Sequence, residues 1–174
     1  MKTPLSLKST ATCAMLLFGA TGCGSTTINA SGMDVVDANT TITLDRTVCF
    51  GACPSYSLSI RGDGNVTYTG RQFVKLVGTA TSQIPLTDVQ SLVDEMERSD
   101  YFHLTVPDTC PQGMATDNPT ATTSLQIAGK SHVVTDYHGA PCAPAVLRTL
   151  EDRIDSVAQS AQWVKCDGAD YCPE

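Results

Sequence analysis

The sequence is poor in positive charge. Its 174 residues include 11 Lys and Arg against 18 Asp and Glu, which gives a formal net charge of -7. Loss of residues 1–22, argued below, would remove Lys2 and Lys8 and no acid, so 9 basic against 18 acidic groups would leave -9. A chain of this sign repels phosphate, and no Lys or Arg cluster reverses the sign locally. We therefore expect neither nucleic-acid binding nor peripheral docking on anionic lipid.

Motifs of common hydrolases and of phosphate-binding loops are also missing. The sequence contains no Gly-x-Ser-x-Gly, no His-Glu-x-x-His and no phosphate-binding glycine loop. We assign no catalytic residue, cofactor or metal from the sequence, and the pattern favours a non-enzymatic protein. The apolar fraction of 41% is nevertheless enough for the core of one folded domain.

A concentrated hydrophobic segment lies at the N-terminus. Two lysines precede an uncharged stretch, residues 9–22, that is too short to span a membrane and is typical of a secretory signal. Its end, Ala20-Thr21-Gly22-Cys23, resembles a bacterial lipobox, in which small residues precede a cysteine that becomes diacylated; Ala20 stands where leucine is usual. We predict a signal peptide at 1–22 and a lipid anchor on Cys23. The alternative is cleavage by the general signal peptidase, which would leave Cys23 as a thiol.

The number of cysteines favours the lipid anchor. The chain has eight, and Cys13 would leave with the signal peptide. Seven is an awkward number in an oxidising compartment, whereas lipidation of Cys23 leaves six that can all pair. Of the fifteen possible connectivities, local pairing is favoured: Cys49–Cys53, Cys110–Cys142 and Cys166–Cys172. Gly24-Ser25 after the anchor resembles lipoproteins sorted to the outer membrane, so we predict an envelope protein attached there by its lipid.

Hydrophobic periodicity divides the rest of the chain. Residues 23–39 lack a sustained period and predict a lipidated cysteine with a flexible tether, 40–165 predict one α+β domain, and 166–174 form a cysteine-bearing tail. Period-two alternation predicts strands near 42–48, 56–60, 66–68, 76–84, 120–127 and 132–137.

Two amphipathic helices complete the predicted domain. The first starts near Leu86, with Thr87 and Gln90 as a capping box and a stripe of Val89, Leu92, Val93 and Met96. The second opens at Pro144 and buries Val146, Leu147, Leu150, Ile154 and Val157, and Trp163 closes the core. The predicted fold is a two-layer α+β domain with the order ββββ-α-ββ-α, an antiparallel sheet and disulfide staples.

The register of the first hairpin can be chosen from burial. A three-residue loop, Gly62 to Gly64, pairs Ile60 with Val66 and Leu58 with Tyr68, which places apolar side chains on one face. Gly64 then supplies the left-handed residue of the turn.

These segments resemble a bacterial family described as a domain of unknown function. The residues that carry the resemblance are Cys49-Phe-Gly-Ala-Cys-Pro-Ser-Tyr56, followed by the Gly-Asp-Gly hairpin at 62–64, and then residues 116–120 and 136–141. The resemblance covers roughly 41–163. It implies a lipoprotein or secreted protein and carries no established activity.

Cys49 and Cys53 allow three interpretations. In an extended strand they would lie about 13 Å apart, so a structural disulfide requires the chain to double back. A thiol–disulfide exchange pair is the second interpretation, although a strand follows rather than the helix that usually lowers a thiol pKa. The third is copper binding, because Cys-x-x-x-Cys-Pro resembles the motif of copper-delivery proteins that a distant histidine completes; the available histidines are His103, His132 and His138.

A second group of polar residues adjoins one edge of the second hairpin. Asp117, Asp136, Tyr137 and His138 could converge to bind a ligand or a cation, or serve only as capping and turn residues. The sequence thus favours a lipid-anchored binding or structural module, with an envelope protein or a small ligand as partner. The alternative is a redox or copper-handling protein that uses Cys49 and Cys53.

Overall fold

The computed structural model describes residues 32–166 and Cys172. The elements follow the predicted order. They are β1 (Thr41–Arg46), β2 (Ser55–Arg61), β3 (Asn65–Gln72), β4 (Gly78–Gln83), α1 (Leu86–Arg98), a 3-10 turn (Tyr101–His103), β5 (Thr120–Ile127), β6 (Lys130–Tyr137), α2 (Ala145–Ala158) and a short α3 (Ala161–Val164). All strands join one antiparallel sheet with the order β4-β3-β2-β1-β5-β6. The α+β prediction is confirmed.

The predicted register of the first hairpin is also confirmed. Ile60 pairs with Val66 and Leu58 with Tyr68. Gly64 has a φ of +83°, and its N–H donates to the Arg61 carbonyl across 2.9 Å. Burial of one face of the hairpin therefore selected the register.

The core lies between the sheet and the helices α1 and α2. The predicted stripe of α1 is fully buried, and Leu147, Leu150, Ile154 and Val157 of α2 are buried, whereas Val146 is only partly buried. Trp163 closes one end of the core by stacking on Tyr68 at a centroid distance of 5.1 Å. β1 ends before Val48, whose exposed fraction is 42%, so the predicted first strand was too long.

The opposite face of the sheet carries small hydroxyl side chains. Residues at alternate strand positions align in rows because the strands pair in register. One row runs through Thr81, Thr67, Ser59, Thr43 and Ser124 to Val133, and the next through Thr79, Thr69, Ser57, Asp45, Thr122 and Thr135. A polar face of this kind explains why helices cover only one side.

The predicted capping box of α1 is wrong. The helix begins at Leu86 directly after Pro85, and its first turn has no side-chain cap. The Gln90 side chain instead accepts the Val36 N–H at 3.0 Å and donates to the Asp34 carbonyl at 3.0 Å. The Gln90 side chain therefore bonds to the distant segment 34–36 and not to the start of its own helix.

Part of the segment predicted as a tether is packed against the domain. Asp34 is 7% exposed, its N–H donates to Glu97 Oε2 at 3.0 Å, and its carboxylate pairs with the Lys130 ammonium. Burial raises the pKa of Glu97, and the hydrogen bond that Lys130 donates to the Asp34 carboxylate raises the pKa of Lys130. The folded unit therefore begins near Asp34, earlier than residue 40.

Three disulfides join the predicted partners. Cys49–Cys53, Cys110–Cys142 and Cys166–Cys172 have Cα–Cα distances of 5.5, 5.5 and 5.3 Å. In residues 32–166, no helix has both the length and the apolar character that a membrane crossing requires. The predicted signal peptide and Cys23 lie outside the described residues.

Candidate functional site

A cleft opens where α2 and α3 meet the loop before β2 and the start of β5. It encloses about 640 Å³. Its walls are partly apolar, from Pro54, Pro119, Ala161 and Val164, and its polar groups include Arg46, Tyr56, His138 and Asp155. We call it the α2–α3 cleft. A mixture of apolar walls and a few convergent polar groups is typical of ligand pockets.

Arg46 is the centre of the polar network in the cleft. It stands at the end of β1, where its Nη1 lies 3.1 Å from Glu151 Oε2 and its Nε 3.0 Å from Asp155 Oδ2. Its Nη2 lies 3.5 Å from the exposed carboxylate of Asp152. Burial lowers the pKa of Arg46, but Asp155 and Glu151 more than offset this, so the pKa lies above its ordinary value. Arg46 is therefore a permanent cation whose charge is already taken up by three carboxylates.

Asp155 also organises two hydroxyl groups. The Tyr56 hydroxyl donates to Asp155 Oδ1 at 2.7 Å, and the Ser160 hydroxyl donates to the same oxygen at 2.5 Å. Burial, and then the charge of Asp155, raise the pKa of Tyr56 far above its ordinary value. Tyr56 is thus a neutral hydrogen-bond donor at physiological pH.

A second group lies beside this network. His138 Nε2 is 2.9 Å from Glu151 Oε2 and 4.0 Å from Asp136 Oδ2, and the three residues each offer a ligand atom within 4.8 Å of the others. Asp136 and Glu151 are each 1% exposed. Arg148 Nε approaches Asp136 Oδ2 at 3.4 Å. We call Asp136, His138 and Glu151 the carboxylate–histidine cluster.

Local structure explains how the cluster is assembled. Asp136 follows Val134 on the inward side of β6, and His138 comes directly after the strand ends. Glu151 lies on the buried stripe of α2, between Leu147 and Ile154. Sequence reasoning missed Glu151, although its position four residues after Leu147 and three before Ile154 is a signal that could have found it.

The structure separates the four residues of the predicted patch. Asp136 and His138 lie together in the cluster. Tyr137 instead donates to the Ala115 carbonyl at 2.8 Å and accepts the Asn118 N–H at 3.2 Å. Asp117 is exposed with a φ of +68°, and its carbonyl accepts the Phe50 N–H at 3.1 Å. Tyr137 and Asp117 therefore hold loops in place and are not part of the cluster.

The Cys49–Cys53 disulfide closes a small loop at the mouth of the cleft. Phe50 at its tip is 89% exposed, and Cys53 lines the cleft. A strand follows this loop, so no helix N-terminus is available to stabilise a thiolate. Among the three histidines, His103 pairs with Asp100 and His132 with the Leu104 carbonyl, while His138 lines the same cleft as Cys53.

Comparison with known proteins places the domain in a family. No curated protein matches the chain significantly. The family model described as Domain of unknown function (DUF6438) matches residues 40–158, from the residue before β1 to the end of α2. This match spans more than half of the chain and includes the carboxylate–histidine cluster. The chain therefore belongs to the DUF6438 family.

Proposed function

We propose that this protein is a lipid-anchored, non-enzymatic binding module of the bacterial cell envelope. It binds a small ligand or a segment of an envelope protein in its α2–α3 cleft. The acylated Cys23 would attach the domain to a membrane, and we propose that this is the outer membrane. The cleft would supply the recognition surface.

The cysteines support the envelope location. Six of the eight are paired in the three disulfides, and Cys13 and Cys23 are the two that remain. Stable structural disulfides are typical of proteins in oxidising compartments, which agrees with export. Removal of Cys13 with a signal peptide and acylation of Cys23 would account for every cysteine in the chain.

The convergence of distant segments supports binding in the cleft, and it is the observation that carries the proposal. Three of the four segments that carry the family resemblance, 49–56, 116–120 and 136–141, are far apart in the sequence; the fourth, the hairpin at 62–64, is not part of the cleft wall. Each of the three contributes to the wall of the α2–α3 cleft, through Cys53, Pro54 and Tyr56, through Pro119 and Thr120, and through His138. A fold alone does not require its most distinctive segments to meet at one opening.

The charges in the cleft restrict the ligand. Because three carboxylates already surround Arg46, this residue offers little to an anion. The Asp152 side chain is 84% exposed, and Ala161 and Val164 provide apolar contact. We infer a ligand with an apolar part and a hydrogen-bond-donating or positively charged group.

The anchor is tested by membrane fractionation and by the intact mass of the exported protein. Wild type should be found in the membrane fraction with an acylated Cys23 at its N-terminus, and Cys23→Ser should lose both the acyl mass and the attachment. Cys13→Ser is the matched control and should behave as wild type. A soluble exported wild-type protein without acyl mass would contradict the anchor.

The cleft is tested by saturation-transfer NMR with a library of small aromatic and amine fragments. Ala161→Phe should fill the cleft and abolish the fragment signals of wild type. Thr67→Phe adds the same ring on the polar face of the sheet and should leave them unchanged. Signals that persist in Ala161→Phe, or an absence of signals in wild type, would refute binding in this cleft.

Thiol-redox or copper chemistry is a second candidate, because Cys53 and His138 line the same cleft. It requires that Cys49–Cys53 be reduced while the domain stays folded, and that the reduced protein bind copper. Thiol counting during a dithiothreitol titration, followed by copper titration, tests both conditions. A bond that is reduced only when the domain unfolds would eliminate this candidate.

A further inference from the structure

We propose that the carboxylate–histidine cluster is a binding site for a divalent transition-metal cation, with Zn²⁺ as the ion that its donor set suits best. The inference goes beyond ligand binding in the cleft and does not depend on it. It rests on the geometry, the burial and the charge of Asp136, His138 and Glu151.

The geometry of the cluster is close to that of a metal site. Zn²⁺ is bound by His nitrogen and carboxylate oxygen at about 2.0–2.2 Å, which in a tetrahedral arrangement separates the donor atoms by roughly 3.3–3.6 Å. The distances from His138 Nε2 to Glu151 Oε2 and Asp136 Oδ2 are 2.9 and 4.0 Å. These values lie on either side of the required separation, so small side-chain rotations would bring the three donors around one ion.

A buried oxygen of Asp136 provides an independent indication. The Asp136 side chain is 2% exposed, and its Oδ1 accepts no hydrogen bond from any residue that the structure describes. The other oxygen of the same carboxylate, Oδ2, faces His138, and both oxygens of a carboxylate can ligate one cation. Buried polar groups are normally satisfied, and an unsatisfied one calls for a missing partner such as an ion. A cation bound between Asp136, His138 and Glu151 would supply it.

The charge balance around the cluster also favours a dication. The connected ion pairs contain four carboxylates, those of Asp136, Glu151, Asp152 and Asp155, and two guanidinium groups, those of Arg46 and Arg148. With a neutral imidazole, as metal binding requires, two positive and four negative charges leave a formal charge of -2. One divalent cation neutralises this network.

The two arginines do not prevent binding. Arg148 Nε reaches Asp136 only across 3.4 Å, whereas its Nη2 donates to the His138 carbonyl at 2.9 Å, so this 46% exposed side chain can release Asp136 to an ion and keep its contact with His138. Arg46 also contacts Asp155 through Nε and Nη2 at 3.0 Å and can keep these contacts when Glu151 ligates the metal. The ion would replace the Arg148–Asp136, Arg46–Glu151 and His138–Glu151 contacts and leave the pairing of Arg46 with Asp155 intact.

The type of donors selects the ion. Imidazole nitrogen suits zinc and other transition metals, whereas Mg²⁺ and Ca²⁺ prefer sites made of oxygen alone. Three protein donors leave one position of a tetrahedral Zn²⁺ free. Because His138 lines the α2–α3 cleft and its side chain is 23% exposed, the ion can enter from the cleft and keep a water molecule there.

Isothermal titration of the purified full chain with Zn²⁺, its disulfides intact, tests the site. The visible d–d absorption bands of Co²⁺ bound in place of Zn²⁺ report the coordination geometry of the same site. We expect one ion per chain in wild type, and a loss of affinity of about tenfold or more in His138→Ala and in Glu151→Gln. His103→Ala is the matched control, since His103 is 80% exposed and pairs with Asp100 elsewhere on the surface; it should bind as wild type.

Two further measurements keep the test decisive. Far-UV circular dichroism and thiol counting show whether each variant is folded and oxidised. If Glu151→Gln fails to fold, His138→Ala still tests the site, because it removes a partly exposed side chain. The Cys49→Ser/Cys53→Ser double variant should keep full affinity. An absence of Zn²⁺ binding by wild type, affinity that survives His138→Ala, or affinity that is lost only in the double cysteine variant would each overturn the proposal.

Discussion

Glu151 joins the Arg46 network to the carboxylate–histidine cluster. It is 1% exposed on the inner face of α2, and it contacts both Arg46 and His138. Asp152, the next residue, also pairs with Arg46 but lies in solvent with its side chain 84% exposed. The two neighbours therefore share one partner and differ in burial.

This pair gives a direct prediction about stability. Glu151→Ala should lower the free energy of unfolding by about 3–5 kcal/mol, because it leaves a largely buried guanidinium without one of its main partners. Asp152→Ala removes only a solvent-screened ion pair and should cost about 1 kcal/mol or less. Urea denaturation of both variants measures the difference. Equal losses would show that burial of Glu151 does not set its contribution.

At the same scale, the sequence identified part of the site. Asp136 and His138 were predicted because two polar segments flank the second hairpin, and the structure brings these two residues together. Asp117 and Tyr137 shared that pattern but hold loops, because period and proximity do not say which way a loop side chain turns. Glu151 comes from a different element, and a single sequence does not state which turn of α2 faces the end of β6.

Two glycines with similar backbone conformations occupy the turns of the two hairpins. Gly64 has a φ of +83° and Gly129 a φ of +77°, a region that L-residues rarely adopt. A Cβ atom at Gly64 would lie 2.4 Å from the Ile84 carbonyl oxygen, whereas at Gly129 it would meet no atom within 4 Å. The first position thus combines backbone strain with a clash, and the second has the strain alone.

Alanine substitution separates these two effects. Gly129→Ala should cost about 1–2 kcal/mol, the usual penalty of the left-handed conformation. Gly64→Ala should cost distinctly more, because the backbone at Ile84, directly after β4, must also shift away from the new methyl group. Thermal or urea unfolding of each variant gives the comparison. A cost at Gly64 that does not exceed the cost at Gly129 would contradict the role assigned to the Ile84 carbonyl.

The elements were predictable to the extent that their signals were periodic. The buried stripe of α1 and the pairing of Ile60 with Val66 followed from spacing and burial alone. The capping box failed because Gln90 found tertiary partners in Asp34 and Val36, which no local pattern reveals. β4 is shorter than predicted, since it begins at Gly78, after the loop that contacts Trp163.

At the scale of the whole molecule, the disulfides differ in the length of chain that they close. Cys110–Cys142 spans 32 residues, against 4 for Cys49–Cys53 and 6 for Cys166–Cys172. In the chain-entropy model these loops contribute about 3.7, 2 and 2.4 kcal/mol respectively. Their total is comparable with the net stability of an ordinary domain.

We therefore expect the paired serine variants to differ in stability. Cys110→Ser/Cys142→Ser should lower the free energy of unfolding by about 3.7 kcal/mol, nearly twice the loss of about 2 kcal/mol in Cys49→Ser/Cys53→Ser. Urea unfolding under non-reducing conditions measures both, and the wild type under reductant should be the least stable. A larger loss from the short loop would mean that contacts, rather than loop closure, dominate the contribution of the bridges.

In a chain anchored at Cys23, the packing of Asp34 against Glu97 and Lys130 would limit how far the domain can stand from the membrane. Ten residues, 24–33, separate Cys23 from the first fixed point of the fold. Even fully extended, that length covers at most about 36–40 Å. For a chain acylated at Cys23, any molecule that enters the cleft must therefore approach the bilayer that holds the anchor, and a partner fixed on the far side of a wide compartment would remain out of range.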